Sequence, residues 1–158
     1  MAGKMANLFN KLHHICLVVR DVEKAAAYFE SVGIGPFHDY PPLAQFTELE
    51  MPNPAAFRGM TVKFADLSNV QIQLCQPNDP GSPQRQFLDT HGEGVFHLGF
   101  EVPDCDQSEA EARAAGIPVL MRGRRPDRSG FTYFDTAANA GGVVLEIRKS
   151  VPTSKSKA

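Results

Sequence analysis

The stretch His14-Ile15-Cys16-Leu17-Val18-Val19 recurs 83 residues later as His97-Leu98-Gly99-Phe100-Glu101-Val102. At the same offset Asp21 meets Asp104, Ala27 meets Ala110, Gly33 meets Gly116 and Ile34 meets Ile117. That makes six identities in 21 ungapped positions, where unrelated sequence gives about one. The chain reads as a duplicated module. Each copy opens on a run with the two-residue period of a strand. Asp21 and Asp104 then stand where helix N-caps belong, with Gln107 completing a capping-box pattern after Asp104. In the first predicted helix Val22, Ala25, Ala26, Phe29 and Val32 form an apolar stripe. The second, Cys105 to Ala115, is alanine-rich, and Gly33 and Gly116 follow as left-handed caps.

Three more strands are predicted in each copy: near Phe37–Met51, Gly59–Leu67 and Val70–Gln76, and near Ile117–Met121, Phe131–Asp135 and Gly142–Lys149. The expected fold is therefore α+β, with two tandem βαβββ modules forming a curved mixed sheet. Residues 1–11 are expected as an N-terminal extension and 12–149 as a single domain, with modules at about 12–77 and 94–149. Ser82-Pro83 and Gly92 bracket a linker helix at about 82–91, and the Ser/Lys-rich tail 150–158 is expected to be disordered.

Composition narrows the function. The 158 residues are 42% hydrophobic and 22% charged, the balance of a globular protein, and too few for two enzyme-sized domains. Sixteen basic against eighteen acidic residues give a formal charge of −2, so no general positive field points to nucleic acid or anionic lipid. With no apolar run of membrane-spanning length and no apolar signal core at the N-terminus, a cytoplasmic protein is expected. Cys16, Cys75 and Cys105 form no CxxC pair, which leaves them as buried free thiols.

Strand alternation assigns faces. Ile15, Leu17 and Val19 oppose His14 and Cys16; Ile72 and Leu74 oppose Gln73 and Cys75; Phe96 and Leu98 oppose His97; Leu145 and Ile147 oppose Glu146. One face takes the helices. The other carries His14, Gln73, His97 and Glu146, one ligand-capable residue from the first and the last strand of each copy. Any one of these residues alone is ordinary sheet polarity. The set of four suits one divalent ion, Co, Mn, Ni, Zn, Fe or Mg, with two coordination positions left for a substrate.

The segments Leu12–Asp21, Val70–Pro77, Gly92–Val102 and Gly142–Ile147 resemble the vicinal oxygen chelate superfamily, which includes glyoxalases, bleomycin resistance proteins, extradiol dioxygenases and methylmalonyl-CoA epimerases. The similarity spans about Leu12 to Lys149 and is closest to the epimerases, particularly through Ser82-Pro83-Gln84-Arg85-Gln86-Phe87-Leu88 and Gly92–His97. The resemblance implies metal ligands at His14, Gln73, His97 and Glu146, a homodimer, and epimerisation of an acyl-CoA or similar small-molecule acid through an enolate. It also implies an acid beside the strand that follows a Gly. Here Phe57 and Arg58 precede Gly59, which leaves Glu146, Glu48 and Glu50 as the candidate proton-transfer residues.

Three alternatives stand beside this reading. A glyoxalase-type lyase would carry a carboxylate at the place of Gln73. An extradiol-type dioxygenase would use His14, His97 and Glu146 alone and need three open positions, and a drug-binding protein would use the pocket without metal. Arg124 and Arg125, in the run Arg122-Gly123-Arg124-Arg125-Pro126-Asp127-Arg128, are the candidates for binding a substrate's carboxylate or phosphates.

Overall fold

A computed structural model describes residues 8–151. The elements run β1 (Leu12–Val18), α1 (Val22–Ser31), β2 (His38–Asp39), a 3₁₀ turn (Leu43–Gln45), β3 (Glu48–Glu50), α2 (Pro54–Arg58), β4 (Thr61–Asp66), β5 (Gln71–Gln76), α3 (Pro83–His91), β6 (Gly94–Glu101), α4 (Cys105–Ala114), β7 (Val119–Arg124), β8 (Gly130–Phe134) and β9 (Val144–Lys149). Both expected helices are capped as the sequence predicts: the Asp21 carboxylate accepts from Lys24 N and that of Asp104 from Gln107 N, each at 3.0 Å. Gly33 and Gly116 follow them at φ +95° and +88°, a backbone region that costs other residues energy. Ser82 caps the linker helix α3 by accepting from Arg85 N. No helix among the described residues is long and apolar enough to cross a membrane.

The strands make one nine-stranded mixed sheet in the order β2-β4-β5-β1-β6-β9-β8-β7-β3. In each copy the opening strand pairs in parallel with the last, β1 with β5 and β6 with β9; β1 and β6 then pair antiparallel and join the copies at the centre. The expected first-copy strand at Phe37–Met51 is split. Its start, β2, pairs with β4, whereas its end, β3, crosses to the far edge and pairs with β7 of the second copy. That crossing requires curvature. Nine flat strands would hold their edges about 38 Å apart, but the nine steps from Asp39 to Glu48 reach at most about 32 Å. The sheet curls, and the crossing segment runs over its concave side, where Leu43 and Phe46 join the cluster inside.

Alternation holds for the outer face. Leu17, Val19, Ile72 and Leu74 take α1, and Phe134 and Ile147 take α4. Leu8 and Phe9, in the stretch expected as an extension, join the α4 cluster, with the Phe9 ring edge-on to Phe100 and Phe134. Residues 1–7 and 152–158, which include most of the expected disordered tail, lie outside the described residues. The inner face is more apolar than a solvated sheet face: Cys16, Val18, Phe46, Phe57, Cys75, Met121, Phe131, Tyr133 and Val144 form one buried cluster there. Phe96 belongs to it as well, although alternation assigns Phe96 outward. The β1–β6 register slips between Cys16 and Leu17, which pair with His97 and Val95, and this bulge turns Phe96 and His97 to the same side.

Candidate metal centre

Two adjacent rows of the central strands build the site. One row reads Gln71, His14, Gly99, Glu146 across β5, β1, β6 and β9, and the next reads Gln73, Cys16, His97, Val144. Each copy thus supplies one imidazole from its first strand and one further polar side chain from its last. Gly99 lies between His14 and Glu146, and a Cβ there would collide with the His14 ring and the Glu146 carboxylate. The absent side chain is what lets the two meet across an intervening strand. Two residues on from His97, Gly99 shares its face by alternation, and a lone Gly inside a strand is the signal that marks a close approach.

His14 Nε2 lies 2.8 Å from Glu146 Oε1 and 2.9 Å from His97 Nε2, and His97 Nε2 lies 3.1 Å from Glu146 Oε1. Both histidines are 2% exposed and Glu146 is 5% exposed. His14 Nδ1 is 2.8 Å from His13 Nδ1, and the tautomer in which His14 Nδ1 donates to His13 turns the His14 Nε2 lone pair inward. Apart from the His14 and His97 imidazoles, Glu146 Oε1 has no hydrogen-bond partner despite its burial. Burial alone pushes a carboxyl up, yet the two imidazoles outweigh it and hold Glu146 well below its usual range. Burial pushes His14 down, against the pull of Glu146. Two imidazole nitrogens and one carboxylate oxygen, all aimed at one point, fit a divalent cation of the borderline class. Gln73, 6% exposed, lines the same cup; its Nε2 donates to Gln71 Oε1 at 2.7 Å, which leaves its own Oε1 as the ligand-capable atom.

The space in front of these residues is a cup that opens to solvent and is walled by Leu43, Phe46, Phe57, Met60, Val62 and Phe131. Of the other predicted site residues the cup keeps one. Arg125 lines it, with its guanidinium 4.4 Å over the Phe46 ring. Glu48, Glu50 and Arg124 do not reach it. In β3 it is Leu49 that packs on the inner cluster, so Glu48 and Glu50 face outward, where Arg122 donates to both at 2.7 and 3.0 Å. Arg124, wholly buried under α4, donates to Asp106, Glu109 and Thr132. These three are therefore corrected from proton-transfer and substrate contacts to parts of an ion-pair layer. The pairing of β3 with β7 fixes their side, and that partner is far away in sequence. Four cup residues escaped sequence reasoning: Tyr40, Gln84, Tyr133 and Arg148. Tyr133 is the register partner of Glu146 and so was open to discovery by alternation. Gln84, on a helix, gave no such signal.

The family model of the glyoxalase/bleomycin resistance protein/dioxygenase superfamily matches residues 13–134. The chain belongs to this superfamily. Among curated relatives, the ethylmalonyl-CoA/methylmalonyl-CoA epimerase of Cereibacter sphaeroides is 30% identical over 117 residues, which cover 73% of this chain and 78% of the relative. Among solved structures, the methylmalonyl-CoA epimerase of Mycobacterium tuberculosis superposes with a TM-score of 0.71 at 24% identity, covering 95% of this chain and 94% of its own. A Streptomyces coelicolor methylmalonyl-CoA epimerase variant in complex with 2-nitronate-propionyl-CoA gives 0.70 at 23%, covering 91% and 99%. At these identities the superpositions establish the superfamily's fold.

Proposed function

We propose that the chain is a divalent-metal-dependent epimerase that moves the proton on the carbon next to a thioester carbonyl, with a CoA thioester of a malonyl-type acid as substrate. The observation that carries this reading is the convergence of His14, His97 and Glu146 on one point at the wall of an apolar cup, in a chain whose relatives are such epimerases. His14, His97, Glu146 and Gln73 would hold the ion. A divalent cation bound there supplies Lewis-acid stabilisation of the negative charge that develops on the carbonyl oxygen as the proton leaves, worth several kcal/mol.

Glu146 is the only carboxylate lining the cup among the described residues, so proton abstraction falls to its carboxylate. Tyr133 stands beside it with its phenol kept protonated by burial and by the nearby Glu146 charge, and is the donor at hand. The apolar walls of the cup flank the carbon that loses its proton. Gln73 stands where a lyase of the superfamily would carry a carboxylate, which favours the epimerase over the lyase. With Gln73 as fourth ligand the three open positions of a ring-cleaving dioxygenase are also lacking. In this reading the protein works in the cytosol, as a homodimer.

The test is incubation of the metal-loaded protein with methylmalonyl-CoA in D₂O. Deuterium should enter the α-carbon, and Glu146→Gln should lower the rate by at least about 10³-fold, the combined effect of losing a ligand and a base. Metal analysis should give about one ion per wild-type chain and much less in His97→Ala. No deuterium uptake at confirmed metal occupancy rejects the assignment.

A further inference from the structure

Arg125 differs from the other arginines of its run. Arg122, Arg124 and Arg128 each meet carboxylates within 3.4 Å, and Arg148 pairs with Glu101 at 2.8 Å. Arg125 makes no ion pair among the described residues. It is half-buried, and its guanidinium is held from behind by neutral groups: Nε donates to Gln45 Oε1 at 2.8 Å, Nη1 to Ser129 Oγ at 3.1 Å, and the Phe46 ring lies under its plane. These contacts fix the fork and commit no carboxylate to it; the Tyr40 side chain is its other polar neighbour. Arg148 and Tyr40 line the same cup side by side, and Arg148 Nη1 donates to Glu101 and Ser150.

The electrostatics of this corner are unfavourable as they stand. Burial is the main penalty on the Arg125 cation, and the like charge of Arg148 adds to it. Gln45 Nε2, on the amide that orients Arg125, is itself buried and unpartnered. A rigidly held cation facing a second cation, with no carboxylate in ion-pair contact among the described residues, is an arrangement that an incoming anion stabilises.

We propose that Arg125, flanked by Arg148 and Tyr40, forms a carboxylate-binding subsite in the same cup as His14, His97 and Glu146. The substrate class that fits is an acid whose carboxylate is gripped by the Arg125 fork while its apolar body lies against Phe46, Phe57 and Phe131. The proposal builds on the epimerase reading, because a malonyl-type thioester carries such a carboxylate beside the carbon that loses its proton. It goes further in assigning recognition of that carboxylate to this chain's own arginines.

The test measures binding of malonate to the full-length protein by calorimetry, once with EDTA present and once metal-loaded, for wild type, Arg125→Met and Arg125→Lys. With EDTA the wild type should bind malonate and Arg125→Met should bind it at least about tenfold more weakly, with Arg125→Lys between them. Propionamide, which lacks the charge, should not distinguish the three. Unchanged thermal unfolding of Arg125→Met shows that the fold is kept. In the metal-loaded enzyme the same variant should raise KM for methylmalonyl-CoA more than it lowers kcat. Equal malonate affinity in wild type and Arg125→Met overturns the subsite. Arg125-dependent malonate binding without deuterium exchange on methylmalonyl-CoA upholds the subsite and rejects the epimerase. Exchange with unchanged KM in Arg125→Met does the reverse.

Discussion

On the outer face of the second module Arg113, Arg122, Arg124 and Arg128 interleave with Glu48, Glu50, Asp106 and Glu109, four charges of each sign joined at 2.7 to 3.4 Å. A few residues away, inside the cup, Arg125 has no ion-pair partner among the described residues, Glu146 Oε1 meets only the two imidazoles and Gln84 Oε1 has no partner. The same sheet carries both faces. The outer one closes its polar accounts internally and so behaves as scaffold; the inner one leaves groups open, which is costly in a folded protein unless a ligand completes them.

The contrast is broken most severely at Arg124. Its fully buried guanidinium donates to Asp106, Glu109, Thr132 and the Gly123 and Phe131 carbonyls. Arg124→Met leaves the buried Glu109 carboxylate short of a counter-charge and should cost about 3–5 kcal/mol in urea unfolding. Malonate affinity of the folded fraction should not change. A loss below about 1 kcal/mol would mean that the layer is not the scaffold described. The neighbouring Arg125→Met should show the opposite pattern, with stability kept and binding lost.

Acid separates the two faces by pH. In the outer layer Asp106 is held down to about 2, chiefly by hydrogen bonds from Arg128 and Arg124, and Glu48 and Glu109 are also lowered, so these groups stay ionised well into acid. At the cup, burial lowers His14, and it holds the adjoining His13 down to about 4. The folded state therefore resists protons that the unfolded histidines take up from about pH 6.5. For the EDTA-treated protein, stability should be flat above about pH 7 and fall as pH drops from 6.5 toward 4. The slope is at most about 1.4 kcal/mol per pH unit for each histidine, less for the partly exposed His13. Urea midpoints at pH 7, 6 and 5 check this; equal midpoints would remove the cup histidines as the acid-sensitive element.

Much of this was legible beforehand because local rules set it. The 83-residue repeat, the Asp21 and Asp104 caps and the two-residue period located the four ligand candidates, since strand alternation is enough to say which side chains share a face. What remained hidden depended on partners distant in sequence. Nothing near Glu48 says that β3 crosses the cup to pair with Arg122–Arg124, and that pairing alone turns Glu48 and Glu50 away from the site. The spacing of Arg122 and Arg124 does place both on one face, opposite Gly123, against which Phe131 and Leu49 pack. Arg125 lies beyond the end of β7, where alternation lapses. The bulge that brings Phe96 in beside His97 was equally out of reach, because a register slip belongs to the strand pair and not to either strand.

Gln84 gives the smallest and sharpest comparison. It is 1% exposed, lines the cup, and holds an acceptor with no partner, a state that costs on the order of 1–3 kcal/mol. Methionine has nearly the same shape and no such acceptor, so Gln84→Met should stabilise the protein by about 1 kcal/mol in urea unfolding and leave malonate affinity at Arg125 unchanged. A similar exchange on the outer face, Thr132→Val, should act with the opposite sign, because the Thr132 hydroxyl donates to Glu109 at 2.6 Å and accepts from Arg124 at 3.0 Å. If Gln84→Met instead destabilises, the amide is already satisfied in the folded protein, and the cup is less open in its hydrogen bonding than the outer layer makes it look.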